Sequence, residues 1–329
     1  MYLNETIERW GGRAEVMYGM HHWPSWGRDR IVEMLSKGRD AYRYINDQTL
    51  RLANHGQTPI EIAEEIRLPE SLARHWVVRD YYGTISHNVK ATYTRYLGWY
   101  DGNPANLEPL PPVEVAAKYL DYMGGAEAVT ERARGCLEAG EYRWVVEVMK
   151  HVVFADPADQ EARELAADAM EQLAYQAESS TWRNAYLTGA QELRFGTPVL
   201  PIAAESGSPD TIPALTLEML FNLLAVRLNG PEAAGREITI NFVFPDTNQT
   251  AWLRLENGAL SHSVERTSSD PDATVTVERA VLNRIVSQTL DMEEAIGTGR
   301  LSVDPDPSAL VELLGLLDTF SPWFAVIEP

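Results

Sequence analysis

Between Phe195 and Pro213 the chain places Gly196, Pro198, Pro201, Gly207, Pro209 and Pro213. Proline fixes φ and lacks a backbone donor, and glycine costs extra conformational entropy when ordered, so no helix or strand interior carries them at this density. The segment reads as a linker that divides the 329-residue chain into two folding units. The pattern of apolar residues differs on its two sides, which fixes a different class of structure for each.

On the N-terminal side the period is helical. Ile31, Met34, Leu35, Tyr42, Ile45 and Leu52 recur along residues 28–55, and Gly56 follows as a stop. Thr58-Pro59-Ile60-Glu61 carries a cap, a first-turn proline and an acid three residues after the cap. Leu68-Pro69 ends that helix and starts another, through about Trp76. From 113 to about 194 four more helices are expected, at Val113–Met123, Ala126–Ala139, Tyr142–Phe154 and Asp159–Glu178 and beyond, separated by Gly124-Gly125, Gly140-Glu141 and Asp156-Pro157. One pair looks like a tetratricopeptide unit, but no array of such units follows. Between these helical stretches, Tyr81, Tyr82, Tyr93, Tyr96, Trp99 and Tyr100 crowd together. Such a cluster suits a protein interface or an ordinary aromatic core equally well.

Beyond the linker, Thr216–Leu228 reads as an apolar helix. Ile238, Ile240, Phe242 and Phe244 then alternate with Thr239, Asn241 and Val243, the period of a strand. Ala251, Leu253 and Leu255 alternate next, Asn257-Gly258 is a hairpin turn, and Ala259–Glu265 returns. Another strand (Ala273, Val275, Val277), a helix (Val281–Leu290), a short strand (Leu301–Val303) and a last helix (Ser308–Leu317) complete an α+β domain, expected as an antiparallel sheet covered by helices.

The net charge of −20 opposes nucleic acid and anionic membrane surfaces. Thr58–Trp76 superficially resembles a helix-turn-helix. Its arginines, counted with those up to Asp80, are outnumbered by Glu61, Glu64, Glu65, Glu70 and Asp80, which favours helix packing over DNA reading. The single cysteine, Cys136, excludes an intrachain disulfide and a cysteine-rich zinc site. No apolar run reaches the ~18 residues of a membrane span. The first twenty residues hold no signal-peptide core, which places the chain as written in the cytoplasm, with a periplasmic or secreted location open if residues precede Met1.

One segment carries potential metal chemistry. Ala14–Tyr18 is strand-like, and His21-His22-Trp23-Pro24 follows. A histidine at a strand end suits zinc, but a catalytic zinc needs three protein ligands, and residues before 21 cannot supply them.

Several long blocks resemble alkylsulfatases of the metallo-β-lactamase superfamily. They are His21–Gly27, Tyr44–Leu52, Tyr81–Ala91, Tyr96–Pro104 and Trp182–Arg194, and the resemblance covers essentially the whole chain. It implies three parts: residues 1–27 as a remnant of the catalytic metallo-β-lactamase domain, 28–195 as the family's all-α helical dimerisation domain, and 205–329 as a sterol-carrier-protein-like alkyl-binding domain. It further implies a homodimer, an alkyl sulfate ester such as dodecyl sulfate as ligand, and two zinc ions in the intact enzyme. The family's Thr-His-x-His-x-Asp-His motif has no counterpart here. His21 is then favoured as a zinc ligand, with His22 the competing choice, and the chain alone is expected to hold no zinc stably and to be inactive. Tyr2–Glu5 reads as the interior of a domain helix, so the chain is expected to be the C-terminal portion of a longer enzyme. The alternative is a stand-alone dimeric lipid- or alkyl-binding protein without catalysis. For the alkyl site the candidates are Leu220, Leu224, Phe242, Phe244, Trp252, Leu314 and Trp323. The same residues would serve equally as a plain core.

Overall fold

The computed structural model describes residues 2–199, 211–287, 289–321 and 323–329. Most of the linker, 200–210, therefore lies outside the described residues, as does Pro322. The chain divides into two compact units. One runs to Pro198 and takes back Ala325–Pro329, and the other spans Val199–Phe324. The last five residues of the 205–329 segment pack within the first unit. None of the described helices is long and apolar enough to cross a membrane.

The helical unit opens with α1 (Tyr2–Trp10), which buries no residue, and a two-stranded hairpin of β1 (Val16–Met17) and β2 (Ser25–Trp26). The long α2 (Arg28–Ala53) turns Ile31, Met34, Ala41, Ile45 and Leu52 inward. Tyr42, expected on that stripe, is exposed. At α3 (Pro59–Glu65) the capping box forms in full. Thr58 Oγ1 accepts from the Glu61 N–H, and the Glu61 carboxylate accepts from the Thr58 N–H at 2.8 Å. The next helix is shorter than the sequence suggests. α4 covers only Glu70–Ala73, because the His75 ring accepts the Val77 N–H and starts a separate 3-10 turn at Trp76–Val78. With α5 (Ile85–Leu97), these elements close a core of Ile45, Leu52, Ile62, Ile66, Val89 and Tyr93.

A second core lies among α6 (Pro112–Met123), α7 (Ala126–Glu138), α8 (Tyr142–Ala155), α9 (Gln160–Gln176) and α10 (Ser180–Phe195). Alanines at 162, 166, 167, 169 and 174 keep the buried face of α9 thin, so its neighbours approach closely. Arg194 fastens α10 to α9 by pairing with Glu164, Asp168 and Glu171 on one face, at 2.6–3.0 Å. Of the aromatic cluster, only Tyr93 is buried. Tyr81, Tyr82, Tyr96 and Trp99 remain exposed.

The second unit starts with α11 (Leu217–Arg227) and α12 (Gly230–Ala233), then β3 (Ile238–Phe244), β4 (Gln249–Glu256), β5 (Ala259–Val264) and β6 (Ala273–Val277). α13 (Arg279–Val286), α14 (Met292–Gly297), β7 (Leu301–Asp304) and α15 (Ser308–Gly315) follow. The sheet order is β5-β4-β3-β6-β7. It is not wholly antiparallel as expected: β6 pairs parallel to β3. The connection 265–272 carries the chain from the β5 edge back over the outer face. It is pinned by Asn241, which is buried and exchanges hydrogen bonds with both the N–H and C=O of Ser268. The inner face presents Ile238, Ile240, Phe242 and Phe244 with Ala251, Leu253, Leu255, Val275 and Val277 to the covering helices.

An apolar chamber and a histidine turn

In the second unit, a void of about 90 Å³ opens between the inner sheet face and the helices. Leu220, Leu224, Phe242 and Leu314 line it, together with Phe221 and Leu313 among others, and its walls are wholly apolar. Three other candidates stand elsewhere. Phe244 is fully buried in the same core and away from the void. Trp252 is opposite Asn241 in the β3–β4 register, so it lies on the outer face, where the Arg254 guanidinium sits over its ring. A one-residue offset from Leu253 is enough to put it there. Trp323 is half-buried, its N–H held by Ser321, and does not line the void. Phe221, absent from the sequence candidates, also lines the void: it is 1% exposed and packs on Phe242 with ring centroids 5.4 Å apart. Its spacing one residue after Leu220 on an apolar helix was the available signal.

Such a void is small beside the ~300–1,000 Å³ of ordinary ligand pockets, so a long alkyl chain requires it to widen. The cover that can yield is α13 and α14. They are eight and six residues long, and the buried residues they contribute are Val281 and Ala295 respectively. Helices this short hold their shape only by packing, and weakly packed elements open first.

His21 and His22 do not continue a strand. They sit in the connection of the β1–β2 hairpin, whose strands are two residues each, and His22 takes a left-handed backbone with φ of 67° that turns the chain back. Both are exposed. The His21 ring leans toward Tyr82 at 6.3 Å, and His22 meets the edge of Trp76 at 5.8 Å and Tyr81 at 6.4 Å. Among the described residues no group of three or more His, Cys, Asp or Glu could hold a metal ion. The donors present therefore do not by themselves fit the three-ligand requirement of a catalytic zinc.

A polar cleft in the helical unit, of about 570 Å³, was not anticipated. Glu64 and Arg143 pair across it at 2.8 Å. Asp80 also lines it. Burial pushes its carboxyl above the usual range, the Ile85 N–H bond opposes that, and the Glu178 charge adds to it. In the sequence Asp80 counts only as one more surface acid, because burial is invisible there.

Two family models match the chain, "Alkyl sulfatase dimerisation" over residues 58–196 and "Alkyl sulfatase C-terminal" over 205–329. A linear primary-alkylsulfatase from Pseudomonas sp is 48% identical over 328 residues, covering 100% of this chain and 48% of the relative. The alkyl/aryl-sulfatase BDS1 of Saccharomyces cerevisiae is 47% identical, covering 100% of this chain and 50% of the relative. The solved structure of the stereoselective inverting sec-alkylsulfatase Pisa1 from Pseudomonas sp. superposes with a TM-score of 0.94 at 45% identity, over 100% of this chain and 51% of that one. The chain thus spans about half the length of the relatives it matches. With a helical dimerisation region followed by an α/β C-terminal region, it belongs to the alkylsulfatase family.

Proposed function

We propose that this chain supplies the dimerisation and alkyl-binding parts of a zinc-dependent alkylsulfatase of the metallo-β-lactamase superfamily, acting on alkyl sulfate esters such as dodecyl sulfate. The observation that carries the alkyl-binding role is the wholly apolar chamber under α11 and α15. Five sheet strands with helices packed on one face suit the sterol-carrier-like description of that domain. Residues 1–27, with the His21-His22 turn, are this chain's share of the catalytic metal domain. Without further donors that turn leaves the metal chemistry to residues other than those described.

The dimer reading draws on a specific exposed segment. From Leu97 to Glu114 no residue is buried. Yet the loop is ordered by its own hydrogen bonds: Asp101 accepts from the Asn103 N–H at 2.9 Å and from Asn106 at 2.6 Å. It displays Leu97, Trp99, Leu107, Leu110 and Val113, each at least 45% exposed. Ordered apolar side chains left largely exposed in their own chain suit the face of an isologous dimer, which needs roughly 800 Å² per partner.

Titrating the intact chain with alkyl alcohols from octyl to dodecyl, followed by tryptophan fluorescence, tests the chamber. Each methylene taken up should tighten binding about fourfold, from ~0.8 kcal/mol per buried CH₂. A flat, non-saturating response across the series would show a packed core and no binding site.

A further inference from the structure

The chain leaves the helical unit at Pro198 and re-enters it at Ala325. The returning residues are held by groups buried within that unit. Glu192, 4% exposed, accepts the backbone N–H of Val326 at 2.7 Å and of Ile327 at 2.9 Å on the same carboxylate oxygen. Arg163, also buried, donates to the carbonyls of Leu193 at 2.6 Å, Pro157 at 2.9 Å and Glu192 at 3.2 Å, and pairs with the Glu328 carboxylate. Ile327 packs on the α6–α10 core. Gly189 leaves the room it needs, since a Cβ there would stand 3.2 Å from the Ile327 side chain and 3.0 Å from the Met170 sulfur.

These contacts read three separate features of a peptide. A carboxylate oxygen that takes two successive amides reads a bend in the backbone at Val326-Ile327, a notch over Gly189 reads an aliphatic side chain, and a guanidinium reads the acid after it. A buried carboxylate left without its donors is strongly unfavourable, so this arrangement makes sense only when occupied. Beside the tail, the groove continues for about 380 Å³ along Val146, Lys150, Phe154 and Leu193.

We propose that Arg163, Gly189 and Glu192 form a docking site for a short peptide that bends at an aliphatic residue followed by an acidic one. Its resident ligand is the Ala325–Pro329 tail of this chain, which acts as a latch. Seated, it completes the helical unit with the chain's last five residues; released, it leaves Arg163, Gly189 and Glu192 free to take a second peptide of the same kind.

A fluorescein-labelled peptide of residues 323–329 is the probe, read by anisotropy. A chain ending at Phe324 should bind it saturably, and the full chain at least tenfold more weakly, because its own tail competes. The same peptide carrying Ile327→Asp should lose at least tenfold in affinity. Should the shortened chain fail to fold, the intact chain with Ile327→Asp empties the site without truncation and should bind the wild-type peptide as the shortened chain would. Absence of saturable binding to a folded, tail-free variant, or equal binding by the full chain and that variant, overturns the proposal.

Discussion

Leu220→Ala is expected to turn the chamber of the C-terminal domain into a larger, still dry void at a predictable cost in stability. Leu220 is fully buried on α11 and lines the existing space of about 90 Å³. Losing three carbon groups forfeits about 2.4 kcal/mol of transfer free energy at ~0.8 each. The volume they vacate is about 80 Å³, each group taking somewhat less than a water's ~30 Å³ share. At ~24 cal/mol per Å³, a void that does not relax raises the loss to about 4 kcal/mol. The short α13 and α14 can settle inward, so the measured value should fall between those two figures. Amide hydrogen exchange on β3, β4 and β6 reports this unit separately from the helical one. The merged space reaches the class of ~150 Å³ cavities that remain empty of water and take up benzene. Benzene at a hundred times its dissociation constant should then restore about 2.7 kcal/mol. A loss under about 1 kcal/mol, or a full loss that benzene leaves untouched, would mean that Leu220 does not wall an apolar chamber.

The double substitution Trp99→Asp with Leu107→Asp should convert a micromolar dimer to monomer in sedimentation while the helical circular dichroism stays unchanged, since both side chains are exposed in the single chain; a variant that still dimerises places the interface elsewhere. His151, against the Tyr119 ring at 4.6 Å, has its pKa lowered by burial and by Lys150, with Glu147 opposing. A base held low in the folded state contributes stability that is complete above its ordinary pKa and is lost as pH falls through the depressed one. His151→Gln should therefore flatten the decline of melting temperature below about pH 6.5, and an unchanged slope would remove His151 as its source. Asp80 has the opposite sign: an acid held high costs stability as pH rises from the ordinary carboxylate range through its raised pKa. Asp80→Asn keeps an oxygen for the Ile85 N–H and should raise the melting temperature at neutral pH; a lower one there would show that the charge itself is needed.

Local signals carried much of the fold. The Thr58–Glu61 capping box, the Asn257-Gly258 hairpin and the stops at Gly124 and Gly140 all depend on residues within a few positions of one another, and each forms as its chemistry dictates. Asn257, with φ of 52°, and Gly258, with φ of 70°, adopt the left-handed pair that a two-residue hairpin turn needs. The aromatic run 81–100 was readable as a cluster, but whether it faces core or solvent depends on helices far away in sequence. Only Tyr93 meets the α2–α3 core.

What periodicity cannot specify is which strand edge, or which distant groove, a segment meets. Alternation placed Ile238–Phe244 and Ala273–Val277 with apolar residues on one face, and that holds equally for a parallel or an antiparallel pair. The parallel arrangement is accompanied by contacts along the connection: outward Asn241 exchanges hydrogen bonds with Ser268, and the Asp272 carboxylate accepts the Thr239 N–H. The histidine turn follows the same logic. Two residues of pairing at Val16↔Trp26 and Met17↔Ser25 reverse the chain before any longer strand can present His21 at its end. The tail is the extreme case, because Glu192 and Ile327 stand 135 residues apart and neither belongs to a pattern that names the other. A buried arginine on α9, a buried acid on α10 and a glycine three residues before that acid are local traces of that site. The acid and the glycine acquire meaning once the groove they shape has an occupant, since a helix that buries Glu192 and Gly189 together must obtain its missing donors and its missing side chain from somewhere else in the chain.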